Sequence, residues 1–161
     1  MDYLWSPWRY RYVSRAAPSE KCVFCEKAAE TDDERNLIVH RGERNYILLN
    51  LYPYTTGHMM IVPYEHVATV AEARPETLTE MMLLARKASA CLQDVYHPQG
   101  LNLGMNIGEC AGAGIAGHIH MHLLPRWVGD ANFMTTISET RVIPEELTET
   151  YRKLKDAFHS R

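Results

Sequence analysis

Three histidines stand at alternate positions in His118-Ile119-His120-Met121-His122. Alternate residues of a strand project to the same side, so the spacing predicts three imidazoles along one face of a strand over His118 to Leu124, with Ile119, Met121 and Leu123 turned toward a core. Neutral imidazole is nucleophilic near pH 7, and histidine is also the commonest metal ligand, so the face offers covalent catalysis or a metal site. Burying three imidazoles without a task would leave several polar atoms to satisfy, each costing about 1 to 3 kcal/mol if unpaired. Just ahead lies Gly108-Glu109-Cys110-Ala111-Gly112-Ala113-Gly114-Ile115-Ala116-Gly117. Its glycines at 108, 112, 114 and 117 can take positive φ and bring backbone N–H groups close to an anion. No nucleotide-binding loop of the G-x-x-x-x-G-K-[ST] type is present, yet beside three histidines the glycines point to phosphate. Cys22-x-x-Cys25 is half of a zinc site; its other readings are a redox pair or two buried thiols. Cys91 and Cys110 read as inert.

These side chains need a scaffold, and the patterning supplies one. Leu37 to Arg41, Tyr46 to Leu51, His58 to Val62, Leu101 to Ile107 and His118 to Leu124 read as strands, with short turns favouring antiparallel pairing. From Pro75 to His97 the residues Leu78, Met81, Met82, Ala85, Ala88, Leu92, Val95 and Tyr96 recur at helical steps, bounded by Pro75, Pro98 and Gly100. Pro144 opens a second helix carrying Leu147, Tyr151, Leu154 and Phe158 on one side. Glu30 to Arg35 reads as loop, and the alternating aromatic and basic residues from Leu4 to Tyr12 as an arm or a packed tail. The expected fold is α+β, a five-stranded antiparallel sheet with a long helix and a C-terminal helix. The expected organisation is a single domain over 1–161: an arm over 1–20, a core over 21–134 and a C-terminal helix over 144–159.

At 161 residues with 46% hydrophobic and 23% charged residues, the chain has the composition of a folded domain, not of a disordered or fibrous one. A net charge of −3 argues against a protein built to coat nucleic acid. No apolar run nears the roughly 20 residues of a membrane span, and Met1 to Tyr12 lacks a secretory core, so a cytoplasmic protein without membrane or nucleic-acid partners is expected.

His118-x-His120-x-His122, followed by two aliphatic residues and Pro125-Arg126, resembles the histidine triad superfamily of nucleotide hydrolases and transferases. The likeness runs from Cys22 to about Phe133, with Gly57-His58-Met59-Met60-Ile61-Val62-Pro63 similar to the strand before the main helix and Gly108 to Gly117 similar to the phosphate loop. Leu4-Trp5-Ser6-Pro7-Trp8-Arg9 and the stretch from Pro125 to Met134 resemble the bacterial diadenosine tetraphosphate phosphorylase-like branch. The resemblance implies a homodimer of joined sheets and cleavage of dinucleoside polyphosphates at an α-phosphorus. His120 would be the nucleophile, with His122 at the phosphate and His118 as the third catalytic residue. Asn50 would contact the ribose and Asn106 would precede the phosphate loop; His58, Gly112, Gly114, Gly117 and Trp127 complete the implied substrate contacts. Trp127, the N-terminal aromatics and Asn132 could cover the second nucleoside, and Arg126 could attract phosphate. Where many members carry Gly-Gln-Ser-Val before the triad, this chain has Gly112-Ala113-Gly114-Ile115-Ala116-Gly117, without the glutamine and serine side chains, so backbone N–H groups must supply more of the phosphate contacts. Zinc-bearing relatives imply a structural zinc held by Cys22, Cys25, His66 and His118, with His40 as the alternative ligand. A nucleoside phosphoramidate hydrolase and a non-catalytic, zinc-stabilised nucleotide-binding adaptor are the alternative functions.

Overall fold

Turn chemistry and strand alternation give five strands, β1 (Ile38–Arg41), β2 (Asn45–Leu49), β3 (Met59–Pro63), β4 (Gly100–Gly104) and β5 (Met121–Arg126). They are seen in a computed structural model that describes residues 21–131 and 143–160. The expected arm over 1–20, and Asn132, Phe133 and Met134, lie outside the described residues. The sheet order is β1-β2-β3-β5-β4 and every pairing is antiparallel.

The long helix is α3, Pro75–Tyr96, with proline in its first turn and His97 left-handed at φ 47° to end it. Its inner stripe of Met81, Leu84, Ala85, Ala88, Cys91 and Leu92 packs on Val39, Ile47, Leu49, Met59, Ile61, Met121 and Leu123 of the sheet. Tyr151, Leu154 and Phe158 of α4 (Leu147–His159) join the same core. Each fully buried aliphatic side chain contributes about 1.5 to 3 kcal/mol. Met82, expected inside, is 56% exposed, because it lies about 100° round the helix from Met81, beyond the stripe centred on Met81 and Ala85. The second helix starts at Leu147, not Pro144.

The opposite face of the sheet buries Phe24, Ile38, Tyr46, Leu48, Met60 and Val62. Phe24 comes from α1, Val23–Ala29, a helix the sequence pattern did not reveal, and Tyr46 Oη donates to the Phe24 carbonyl at 2.8 Å. Part of the supposed loop, Asp33–Asn36, is a one-turn helix, α2, capped by the Asp32 side chain on the Arg35 N–H. Gly57 holds φ +78° where the turn before β3 meets the long helix; a Cβ there would lie 3.1 Å from Leu92 and 3.3 Å from Pro125 and Tyr96. No helix among the described residues is long and apolar enough to cross a membrane.

Several strand boundaries are corrected, the last strand also running on to Arg126. The second strand ends at Leu49 and the fourth at Gly104. The last begins at Met121, so His118, Ile119 and His120 are not in the sheet ladder. Their local bonding explains this: the Pro63 carbonyl is taken by His118 Nε2 at 2.9 Å, and the Ile119 N–H turns to the Val67 carbonyl at 2.9 Å.

Candidate active site and metal group

The histidines run along the sheet face that carries Phe24, whose ring lies 5.5 Å from His118 and 5.0 Å from His120, centroid to centroid. His120 is 5% exposed, and its Nδ1–H donates to the His118 carbonyl at 2.9 Å. A carbonyl only accepts, so the neutral ring carries its proton on Nδ1 and its lone pair on Nε2. Burial pushes the His120 pKa below the ordinary histidine value, against the opposing pull of the His118 carbonyl. The nitrogen is thus kept unprotonated near neutral pH, which is what a nucleophile requires.

His122, on β5, faces the same side, its ring 4.9 Å from that of His120 and nearly perpendicular to it. His58 Nε2 and His122 Nδ1 are 2.9 Å apart, and the Tyr54 N–H donates to His58 Nδ1 at 3.2 Å. Because His58 Nδ1 accepts, the neutral His58 ring carries its proton on Nε2 and donates to His122; the neutral His122 ring then carries Nε2–H. Burial, with a smaller contribution from His120, pushes the His122 pKa down to about 4. Both His58 nitrogens are engaged and the residue is 1% exposed, so it presents no free ring nitrogen for the direct contact the resemblance implies and instead holds His122.

The glycine loop is divided in function. Its first half closes on itself: the Ala111 and Ala113 N–H groups bond the Gly108 carbonyl and the Gly112 N–H bonds Glu109. Gly108 and Gly112 take φ +82° and +89°, as the sequence suggests, whereas Gly114 and Gly117 do not. Asn106 Nδ2 donates to the Gly112 carbonyl at 3.5 Å and ties the loop to its stem. Among the described residues the backbone N–H groups from Gly114 to Gly117 have no protein partner, which leaves them as the loop's donors for an anion. The Gly117 Cα position packs on His66, 3.7 Å from its Nε2 for a built Cβ.

Asn50 lies just past β2, where its Oδ1 accepts from the Tyr52 N–H at 2.9 Å. Arg126 is not free to attract phosphate: its guanidinium forks onto Asp130 at 2.5 and 2.7 Å and reaches Asn102 Oδ1 at 2.8 Å. Trp127 directly follows the end of β5, five residues past His122, or roughly 16 Å at the rise of an extended strand, and its N–H donates to Asp130 at 3.1 Å.

On the other side of His118, Cys22, Cys25 and His66 gather, with one ligand atom from each of the four residues within 4.8 Å of the others. Since His118 Nε2–H is given to Pro63, its Nδ1 carries the lone pair, and this atom lies 3.3 Å from Cys22 Sγ and 3.6 Å from Cys25 Sγ. Cys25 Sγ is 3.4 Å from His66 Nδ1. Tetrahedral zinc bound at about 2.3 Å to sulfur and 2.0 to 2.1 Å to nitrogen sets its ligands about 3.3 to 3.8 Å apart, so the spacing and donor types fit a metal. Burial, then the neighbouring Cys22, raise the Cys25 thiol pKa, a cost that a bound cation would offset. His40 lies elsewhere, stacked at 5.3 Å on Phe158. Sequence reasoning overlooked Phe24 and Tyr54; the first has a signal, a large apolar residue inside the Cys-x-x-Cys, and the second only its place four residues before His58.

A family model described as "HIT domain" matches residues 31–128. The chain is similar to the AP-4-A phosphorylase of Mycobacterium tuberculosis, 39% identical over 161 aligned residues that cover 96% of this chain and 83% of that protein. It is also similar to the asymmetrical bis(5'-nucleosyl)-tetraphosphatase of Schizosaccharomyces pombe, 25% identical over 75% of this chain and 63% of that one. Among solved structures, a zinc-bound histidine triad family protein from Mycobacterium smegmatis superposes with a TM-score of 0.70 at 26% identity, covering 88% of this chain and 95% of its own. With three histidines on one sheet face, a glycine loop before them and these likenesses in sequence and fold, the chain belongs to the HIT domain family.

Proposed function

We propose that this protein cleaves dinucleoside polyphosphates such as diadenosine tetraphosphate at an α-phosphorus, through a covalent nucleotide on His120. The observation that carries the reading is the buried His120 ring, whose Nδ1–H is held by the His118 carbonyl so that Nε2 is the free base. The likeness to a protein named AP-4-A phosphorylase supports the substrate class. His120 Nε2 forms a P–N bond as the P–O bond to ATP breaks, and His122 Nε2–H and the loop N–H groups stabilise the charge on the phosphoryl oxygens. Phosphate or water then attacks phosphorus from solution, the P–N bond breaks, and the electron pair returns to His120. With a protein of net charge −3, attraction for the polyanion is local, supplied by loop N–H groups and imidazoles.

In this reading Cys22, Cys25, His66 and His118 hold a structural zinc, which when bound crosslinks the N-terminal segment to the sheet. The edge strand β4, with Leu103 45% exposed, supports a homodimer in which two sheets join. The test is incubation with diadenosine tetraphosphate, with and without inorganic phosphate, and identification of both products. Phosphorolysis yields ADP and ATP, hydrolysis AMP and ATP. No cleavage in either case, together with rapid hydrolysis of an adenosine phosphoramidate, overturns the proposal.

A further inference from the structure

Tyr54 touches the histidine face in two ways. Its backbone N–H donates to His58 Nδ1, and its ring lies 4.8 Å from the His58 ring and 6.1 Å from the His122 ring, the latter inclined by only 27°. The loop that carries it is held at both ends. The Asn50 N–H bonds the His58 carbonyl at 3.0 Å, the His58 N–H bonds the Thr55 carbonyl at 3.2 Å, and the Asn50 side chain accepts from Tyr52. His58 is 1% exposed, His122 half-buried and Tyr54 36% exposed, so the tyrosine ring is the outer layer over an inner His58, with His122 beside them.

The geometry points to Tyr54 as a positioning residue for His122: its ring closes over the His58–His122 pair, keeping water from their shared hydrogen bond and each ring in one tautomer. This rests on the reading of His120 as nucleophile, since it assigns His122 Nε2–H to the phosphoryl oxygens. The chain of donors runs one way, from the Tyr54 N–H to His58 Nδ1 and from His58 Nε2–H to His122 Nδ1. A proton added to His122 Nδ1 would meet the His58 Nε2–H head on, and His58 cannot turn its own tautomer while the Tyr54 N–H occupies Nδ1. The arrangement therefore persists only while the pair stays shielded from water. Besides Tyr54 itself, the titratable groups facing His122 are His58 from the turn before β3 and His120 from its own chain; opposite it on β4 is Gly104, which brings no side chain. Burial as the main cause of the low His122 pKa agrees with a stack that depends on exclusion of water.

The test uses metal-replete protein as wild type, Tyr54→Ala, Tyr54→Leu and Tyr54→Phe. Imidazole 15N NMR across about pH 4 to 8 reads tautomer and titration directly, in the window where ordinary histidine changes charge. In wild type and Tyr54→Phe, His122 should keep a single Nε2–H signal through most of that window. In Tyr54→Ala its midpoint should climb toward the ordinary value of about 6.5 and the tautomer signals should average. With diadenosine tetraphosphate, kcat of the alanine variant should fall about tenfold while KM stays within about twofold, the pattern of a misplaced group and not of lost binding. Tyr54→Leu replaces it should the alanine variant fail to fold, with the same expected NMR result. A wild-type tautomer and midpoint in the variant without a ring overturns the proposal. So does a rise in KM alone, which would make Tyr54 a nucleotide contact, or a phenylalanine variant as impaired as alanine, which would place the effect on the hydroxyl. Should wild type cleave no dinucleoside polyphosphate, the functional reading fails while the NMR comparison still decides the role of Tyr54.

Discussion

The carbonyl oxygen of His118 lies 2.9 Å from Nδ1 of His120, while the His118 ring lies with Nδ1 3.3 Å from Cys22 Sγ. One residue therefore orients the His120 imidazole with its backbone and faces Cys22 and Cys25 with its side chain. The two sites are neighbours through a single peptide unit.

Metal content tests the ligand set. Protein purified without chelator should carry about one zinc per chain, as a four-ligand site demands. If the metal is structural, as proposed, Cys22→Ser should lower the melting temperature more than it lowers activity per folded molecule. His40→Ala should leave the metal content unchanged, since His40 stacks on Phe158 and not on the cysteines. Elemental analysis and thermal melts read all three; a His40-dependent metal would contradict the geometry.

Removing the nucleophile should remove turnover. His120→Ala is expected to lower kcat by about a thousandfold or more, with nucleotide affinity largely kept by the loop and His122. Mass spectrometry of quenched wild type should find one nucleotide adduct, absent from the variant. Residual activity above about one per cent, roughly tenfold more than that expectation, would remove His120 from that role.

The histidine pKa values set an acid limit to stability. Burial lowers His120 and pushes His122 down to about 4, so the folded state holds these rings neutral while the unfolded chain binds protons near the ordinary value of about 6.5. The unfolded state then binds more protons, and stability, complete above about pH 6.5, declines as pH falls from there to about 4. Urea unfolding of metal-replete protein at a series of pH values measures this. The decline should be shallower in His122→Asn, which has no imidazole to charge; an unchanged slope would show that His122 is not the group responsible.

Gly57→Ala should destabilise the fold by about 1 to 3 kcal/mol, because the residue must keep a left-handed backbone while its new methyl meets Leu92, Pro125 and Tyr96 at 3.1 to 3.3 Å. Thermal denaturation measures the loss. The strain falls next to His58, so the His58–His122 spacing should also loosen.

The sheet and long helix were legible because their apolar residues repeat with periods that one burial geometry explains, as with Met81, Ala85, Ala88 and Leu92 under Ile47 and Leu123. The three histidines were legible for the same reason. The alternation did not reveal that His118 and His120 precede the ladder, since the diversion of the Pro63 carbonyl to an imidazole is a tertiary event. Helix α1 is too short for a period to show, and Phe24 gains its partners only when the sheet is built. Arg126 looked available because the motif does not display Asp130, four residues on, folding back onto it. The choice of His66 over His40 needed three dimensions, since His40 sits within β1 and His66 just past β3, and only the fold shows which comes to the cysteines.

Helix α1 spans seven residues, has Cys22 as an N-cap that makes no side-chain capping bond, and is far shorter than the roughly 12 to 15 residues at which isolated helices become even marginal in water. It is held by the packing of Phe24 and the Tyr46 bond to its carbonyl, and a cation taken by Cys22, Cys25, His66 and His118 would add support by mass action. Once the site is well below saturation, each tenfold drop in free metal removes nothing further, but across the saturating range it removes about 1.4 kcal/mol of support. Phe24 rides on that helix and roofs both His118 and His120. Were Cys22, Cys25, His66 and His118 to hold a metal, the Phe24 cover over His120 would rise and fall with free metal, a rheostat placed beside the histidine face.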